Sequence, residues 1–380
     1  MDSGYSFEKL VQAYFDCRQH KRTTASALRF EQGLEHNLLA LHEELTLGSY
    51  RPGRSICFAI SRPRPREVWA AEFRDRIVHH LLYNQVADRF HRRFIADSCA
   101  CIPGRGTLYA AQRLEAKVRS QTQNWAKPAF YLKCDLANFF VSIDKRVLWP
   151  LLMKQIPERW WRGLCKVVLF HDPRQDYELR GSAETLAAVP VHKRLVNAGQ
   201  YSGLPIGNLS SQFFANVLLN ELDQHIKHRI GARNYTRYVD DMVLLHESPQ
   251  WLNAAKANID SFLPGLGLAL NPRKTVLQPI SRGIDYVGQV IKPWRRTTRP
   301  RTLQQSLTRL ETMPPSDVFA SGNSYLGLAR QAGASHHEQA LICRALLKRG
   351  HAVEGLHLSK AFRITSSIAR SGGPFLLEPS

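Results

Sequence analysis

A chain of 380 residues and 43.3 kDa has room for two or three compact lobes, each with its own core. With 44% hydrophobic residues, a mean hydropathy of −0.30 and no apolar run near the roughly 18 residues of a membrane span, it reads as globular rather than disordered, fibrous or membrane-spanning. The 52 Lys and Arg against 32 Asp and Glu leave a net charge of +20 and a pI near 9.9, the electrostatic footprint of a protein that neutralises phosphates.

The opening residues, MDSGYSFEKLVQAYFDCRQHKR, lack the apolar stretch of a signal peptide and predict an unexported, cytoplasmic chain. Helical spacing in FEKLVQAYF and LEHNLLALHEEL predicts two helices between Ser6 and about Leu47. The stretch GSYRPGRSICFAISRPRPREV then alternates Ile56, Phe58 and Ile60, as a strand or hairpin does, and ends in a basic loop. Helical period returns over RDRIVHHLLYNQVADRFHRRFI. A Gly104-Arg105-Gly106 loop, an anion-site candidate without either of the familiar nucleotide-loop spacings, opens the next helix. AFYLKCDLANFF is a strand running into a helix, with Asp135 at the strand's end. A polar, loop-rich interval from His171 to Ser202 leads to a turn and a long helix in GLPIGNLSSQFFANVLLNELD. A hairpin in YTRYVDDMVLLHE, a helix over PQWLNAAKANIDSFL and a short strand in IDYVGQVI follow.

From Pro293 the chain reads as basic and helical, a separate lobe that ends in an ordinary tail, GGPFLLEPS. Within that lobe Tyr325, Leu326, Leu328 and Ala329 form an apolar side. His336 and His337 lack further ligands at suitable spacing and read as polar residues at a helix start. Seven cysteines, Cys17, Cys57, Cys99, Cys101, Cys134, Cys165 and Cys343, show no repeated CxxC spacing, so free thiols in a reducing compartment are expected.

Asp240 and Asp241 stand side by side between the apolar runs YV and MVLL. Adjacent carboxylates repel and resist desolvation, so they either face water on a surface turn or are offset by a cation. Their β-type flanks place the turn on a rigid hairpin. Asp135 is delivered to a strand end by the same design. Were the two strands neighbours, three carboxylates would converge, the donor set that a pair of Mg²⁺ ions uses for in-line phosphoryl transfer.

The series FYLKCDLANFFVSI, GLPIGNLSSQFFANVLLNELD, RYVDDMVLL, LGLALNPRKT and DYVGQVI resembles, in order and spacing, the palm motifs of reverse transcriptases of the bacterial, group II intron-like lineage, over about Arg51 to Ile291. The resemblance implies an α+β, right-hand polymerase fold. N-terminal helices and fingers would occupy 1–130, a palm of antiparallel sheet backed by helices 131–292, and a mostly helical thumb 293–380. It implies Asp135, Asp240 and Asp241 as ligands of two Mg²⁺ ions, and Lys274 as proton donor to the leaving pyrophosphate. Arg66, with Arg64 or Arg62 as a second cation, matches the fingers contact to the incoming triphosphate, a recognition that suits guanidinium. Phe140, five positions after Asp135, matches the bulky residue that turns away a ribose 2′-hydroxyl. Many relatives carry Gln-Gly and then Ser-Pro beside the nascent base pair. This chain has Ile206-Gly207 and Ser211-Gln212 there, which puts fidelity or template use in play.

The IGN…SQ form resembles the error-prone enzymes of diversity-generating retroelements, and also bacterial antiphage reverse transcriptases that sit beside a dedicated noncoding RNA. The thumb segment tilts the reading to the second. The expected partners are an RNA template, a DNA product and dNTPs, together with an accessory protein or a second reverse transcriptase, and no membrane. Neither an RNase H-like carboxylate set nor a Cys/His-rich endonuclease region is read here, so template removal and integration are not expected. The competing class is a catalytically silent RNA-binding module, whose mark would be a lost carboxylate; all three are present.

Overall fold

The structure is a computed structural model that describes residues 4–19, 24–61, 64–333, 335–354 and 360–363. Arg62 and the tail GGPFLLEPS lie outside the described residues. Three helices open the chain, α1 (Phe7–Arg18), α2 (Ala25–Glu31) and α3 (Leu34–Leu47), where the periodicity predicted two. Each start has a local cause. The Ser6 hydroxyl accepts from Lys9 N at 3.3 Å and the Thr24 hydroxyl from Ala27 N at 3.4 Å, while Gly33 separates α2 from α3.

Strands β1 (Ser55–Ile60) and β2 (Arg66–Ala70) pair antiparallel, followed by α4 (Phe73–His91) and α5 (Thr107–Gln121). Next come β3 (Phe130–Asp135), α6 (Phe139–Ser142), α7 (Lys145–Met153) and α8 (Arg159–Phe170). The interval read as loop contains β4 (Tyr177–Arg180), which pairs parallel with β1, and α9 (Ala183–Ala187). Then follow α10 (Leu209–Gln224), β5 (Tyr235–Tyr238), β6 (Asp241–His246), α11 (Pro249–Phe262) and β7 (Val276–Pro279). The stretch IDYVGQVI is two strands rather than one, β8 (Ile284–Tyr286) and β9 (Gln289–Lys292), because Val287 and Gly288 both take positive φ and turn the chain. The rest is not wholly helical: β10 (Arg295–Thr298) precedes α12 (Pro300–Thr312), α13 (Pro315–Arg330) and α14 (His336–Lys348), and β11 (His351–Glu354) pairs with β12 (Lys360–Arg363).

The described residues divide into two compact units, one of Met1–Gly106, Leu132–Leu244 and Pro249–Val276, the other of Thr107–Tyr131, Leu245–Ser248 and Leu277–Ser380. In the first, α10 buries Phe213, Phe214, Val217, Leu218 and Leu219, so it is apolar around most of its circumference and must be covered on several sides. Ile77, Val78, Leu81 and Leu82 of α4 form part of that cover. In the second, Leu310, Val318, Leu326, Ile342 and Leu346 knit α12, α13 and α14 together. The carboxylate-bearing strands belong to a four-stranded sheet of order β5-β6-β3-β7, with β5 and β6 antiparallel and Tyr238 opposite Asp241.

One charged pair fastens β5 to α10. Arg237 and Asp223, both 0% exposed, meet at 2.6 Å between Nη2 and Oδ2, and Nε reaches Oδ1 at 2.8 Å. The remaining guanidinium hydrogens go to Asn216 Oδ1 at 3.1 Å, Ser98 Oγ at 2.8 Å and the Val239 carbonyl at 2.9 Å. Tyr235 donates its hydroxyl to Asp223 at 2.7 Å. All five guanidinium donors are thereby matched, the condition under which a charge survives in a low-dielectric core. Removing one partner strands the other, so Asp223→Ala is expected to lower unfolding free energy by about 3–5 kcal/mol. The double change Asp223→Leu with Arg237→Met is expected to lower it by less, read in urea titrations; a harmless Asp223→Ala would contradict this account.

Candidate active site

The sheet brings the three aspartates to one region from two directions. Asp135 ends β3, Asp240 sits in the tight turn after β5, and Asp241 opens β6. Val239 in that turn has φ +54°, a left-handed conformation that a β-branched side chain resists. Its carbonyl is the one held by Arg237, so the buried cation fixes the strained turn that carries Asp240.

Two lysines face the carboxylates. Lys274 Nζ lies 2.7 and 2.8 Å from the two oxygens of Asp135, and Asn271 Nδ2 donates to Oδ1 at 3.3 Å. Lys133 Nζ lies 3.0 Å from Asp241 Oδ2, while the other Asp241 oxygen is covered and has no hydrogen-bond partner. Burial pushes the Asp240 carboxyl above its usual range and the Asp135 charge adds to the rise, against the pull of Lys274 and Arg66. Burial pushes Asp241 up to about 6; Lys133 pulls it down, and the charges of Asp240 and Asp135 raise it further. The carboxylates feel one another, and Arg66 at the start of β2 is close enough to be felt at Asp240.

Three carboxylates offer the hard oxygen donors that Mg²⁺ takes. As the side chains stand, no three His, Cys, Asp or Glu groups among the described residues close around a common point, and the lysines hold two of the aspartates. The partnerless Asp241 oxygen and the two raised carboxyls mark a local shortage of positive charge. A divalent cation fits that shortage, provided Lys274 yields Asp135.

The residues expected to meet a nucleotide are distributed as follows. Arg64 and Arg66 are exposed. Phe139 is 3% exposed and fills the core, whereas Phe140 is half-buried, its ring 5.2 Å from that of Phe139. The Phe140 carbonyl accepts from Leu204 N at 2.8 Å, the Ile206 carbonyl from Trp69 N at 2.8 Å, and Asn208 Oδ1 from Ala71 N at 3.0 Å. These bonds stitch the 204–208 loop to α6 and β2, the strand that begins with Arg66. Gly207 has φ +127°, and a Cβ there would meet Val68 Cγ1 at 2.9 Å and the Trp69 carbonyl oxygen at 3.0 Å, so only glycine lets the loop lie this close. Beyond contributing to the exposed basic run, Arg64 makes no described contact with the aspartates. The Gly104-Arg105-Gly106 loop turns inward: Arg105 donates to the Ile95 and Ser98 carbonyls at 2.8 and 2.9 Å.

Lys133, Asn271 and the Arg237–Asp223 pair are site components that pattern reading missed. Lys133 was within reach of it, since residues two apart on a strand share a face and Lys133 therefore lies beside Asp135. Asp223 and Arg237 carry no local signal of their pairing.

The family described as "Reverse transcriptase (RNA-dependent DNA polymerase)" matches residues 63–291, a span that holds all of these groups except Arg62. The Retron Ec86 reverse transcriptase of Escherichia coli is 37% identical over 90 residues, 23% of this chain and 28% of that protein. Protein P of Duck hepatitis B virus (strain United States/DHBV-16) is 32% identical over 87 residues, 23% of this chain and 10% of that protein. Among solved structures, telomerase from Candida albicans, in complex with a TWJ fragment of telomeric RNA, aligns with a TM-score of 0.49 at 12% identity over 79% of this chain and 55% of that one. The chain thus spans under a third of the length of either curated relative.

The raised Asp241 carboxyl has a measurable consequence. Its folded value of about 6 exceeds the ordinary 3.8, so the folded chain binds a proton in that window that the unfolded chain does not. The shift contributes stability at low pH and that contribution is lost as pH rises through the window. Metal-free Asp241→Asn is therefore expected to be more stable than wild type near pH 8, by up to about 3 kcal/mol, with the gain vanishing near pH 4. Urea titrations in a chelator check this, and a variant destabilised at pH 8 would contradict it.

Proposed function

This chain belongs to the reverse transcriptase (RNA-dependent DNA polymerase) family, and from that premise we propose that it extends a DNA strand along an RNA template. The observation that carries the reading is the electrostatic convergence of Asp135, Asp240 and Asp241 with Lys274 and Arg66. Two Mg²⁺ ions held by the aspartates would supply an activated primer 3′-oxygen and charge neutralisation at the transferring phosphate. Arg66, with Arg64 beside it, takes the triphosphate of the incoming dNTP. Phe140 stands where a ribose 2′-hydroxyl would press, and the Ile206-Gly207 backbone borders the nascent base pair. Lys274 leaves Asp135 and carries the proton that pyrophosphate accepts. In this reading fingers, palm and thumb follow the 1–130, 131–292 and 293–380 division.

We assign the template to a dedicated noncoding RNA and the setting to antiphage defence, a reading that the IGN…SQ form allows and the thumb segment favours. A second setting, error-prone copying in a diversity-generating retroelement, draws on Ile206, whose apolar side chain cannot make the hydrogen bonds of a glutamine. Errors concentrated at template adenines in the sequenced product would select it. Among the described residues no helix is long and apolar enough to cross a membrane.

On a primed RNA template, Asp135→Ala and Asp240→Ala are each expected to reduce DNA synthesis by about a thousandfold or more with the circular dichroism spectrum unchanged. Synthesis retained in either folded variant would refute the assignment. Phe140→Ala is expected to relax dNTP over rNTP preference by about 10- to 100-fold. Unchanged sugar discrimination would return Phe140 to a packing role.

A further inference from the structure

The second unit carries an aromatic pair that the polymerase reading does not use. Trp294 is 67% exposed, the largest exposure among the large hydrophobic side chains of the described residues apart from Leu47 at 71%. It occupies the two-residue turn Pro293-Trp294 between β9 and β10, where Lys292 pairs with Arg295. Proline followed by a positive φ is the order of a type II turn, whose second position favours glycine, yet Trp294 holds φ +63° there. Against it lies Trp125, with ring centroids 6.5 Å apart and planes 50° from parallel. Trp125 is itself at φ +73°, at the end of three consecutive positive-φ residues that begin with Gln123 and Asn124. Its indole N–H is covered without an acceptor. Folding gains little from this arrangement, since glycine or asparagine at both positions would remove backbone strain and the outer indole buries only a third of its surface.

We propose that Trp294 is a stacking platform for an unpaired base of a single-stranded RNA. The tilted Trp125 ring lies beside the indole, and the large exposed part of the indole is free to take a base. Lys292 and Arg295 flank the tip in the hairpin register, and the exposed Lys127 follows Trp125 by two residues, so cations are at hand for the phosphates of a strand held there. An exposed aromatic side chain with basic neighbours is the combination that binds single strands without reading sequence, since every base offers a π-face and every nucleotide a charge. A duplex hides its base faces within the stack and so cannot use the platform. An apolar protein partner is disfavoured by the cations at the rim.

The test is equilibrium binding of the full-length chain to a fluorescein-labelled oligouridylate of about ten nucleotides, and to a blunt RNA duplex of the same length, by anisotropy. Trp294→Gly is the informative variant because glycine suits φ +63°, so its thermal stability is expected to match or exceed wild type. It is expected to weaken single-strand binding by about 5- to 100-fold, while duplex affinity stays within about twofold and Trp294→Phe retains most of the binding. An oligonucleotide with one 5-iodouridine is expected to crosslink under ultraviolet light to the peptide containing Trp294. Unchanged single-strand affinity in a folded Trp294→Gly chain, an equal loss for duplex, or crosslinks only elsewhere would each overturn the proposal. Because no catalytic step is involved, its failure would leave the polymerase reading as it stands.

Discussion

A fully buried arginine under a strained turn is the constraint on which the rest of the site depends. Arg237 is tied through Asp223 to α10 and through Val239 to the turn that presents Asp240. It also grips Ser98, and the backbone of the neighbouring segment docks along β5, with Arg237 N on the Asp97 carbonyl and Cys99 N on the Arg237 carbonyl, each at 2.9 Å. The turn therefore has rigid support on two sides. A Val at positive φ is tolerated because its surroundings over-determine it, and the reward is a carboxylate held where water is scarce.

Such a carboxylate stands in electrostatic tension with its neighbours. Asp240 is raised by burial and by Asp135, Asp241 by burial and by the charges of Asp240 and Asp135, and the lysines that partly relieve them come from separate parts of the chain, Lys133 from β3 and Lys274 from the segment before β7. The metal-free protein is thus less stable than it would be with neutral groups in those places. Strain of this kind is expected where charge must be available to a ligand, since a site already neutralised has nothing to offer a cation. Lys274 illustrates the compromise: it neutralises Asp135, and a cation taking Asp135 as a ligand would have to displace it.

Sequence patterning made the carboxylates legible because their local context is anomalous, an acidic pair set into an apolar hairpin and an aspartate at an apolar strand's end. The α+β character and most helices were legible for the ordinary reason that their periodicity is local. What escaped has long-range causes. The polar strand β4 exists because β1 offers it an open edge, and nothing in YELR announces that. IDYVGQVI hides a turn because Val287 takes a conformation that valine avoids. The Arg237–Asp223 pair joins residues that look like an odd charge in a strand and an odd charge in a helix, and only packing unites them. Phe139 and Phe140 are adjacent and chemically identical, yet only the structure separates the core ring from the half-buried one.

The most direct test of the account is a count of divalent ions at the aspartates. Mn²⁺ titrated into the protein with primer, RNA template and a non-reacting dNTP analogue, followed by electron paramagnetic resonance, is predicted to saturate at two ions per chain. The Asp135→Asn, Asp240→Asn double variant, equally folded, is predicted to bind neither of them tightly. Full Mn²⁺ binding by that variant, or no binding by the wild type, would contradict the claim that these carboxylates form the catalytic centre.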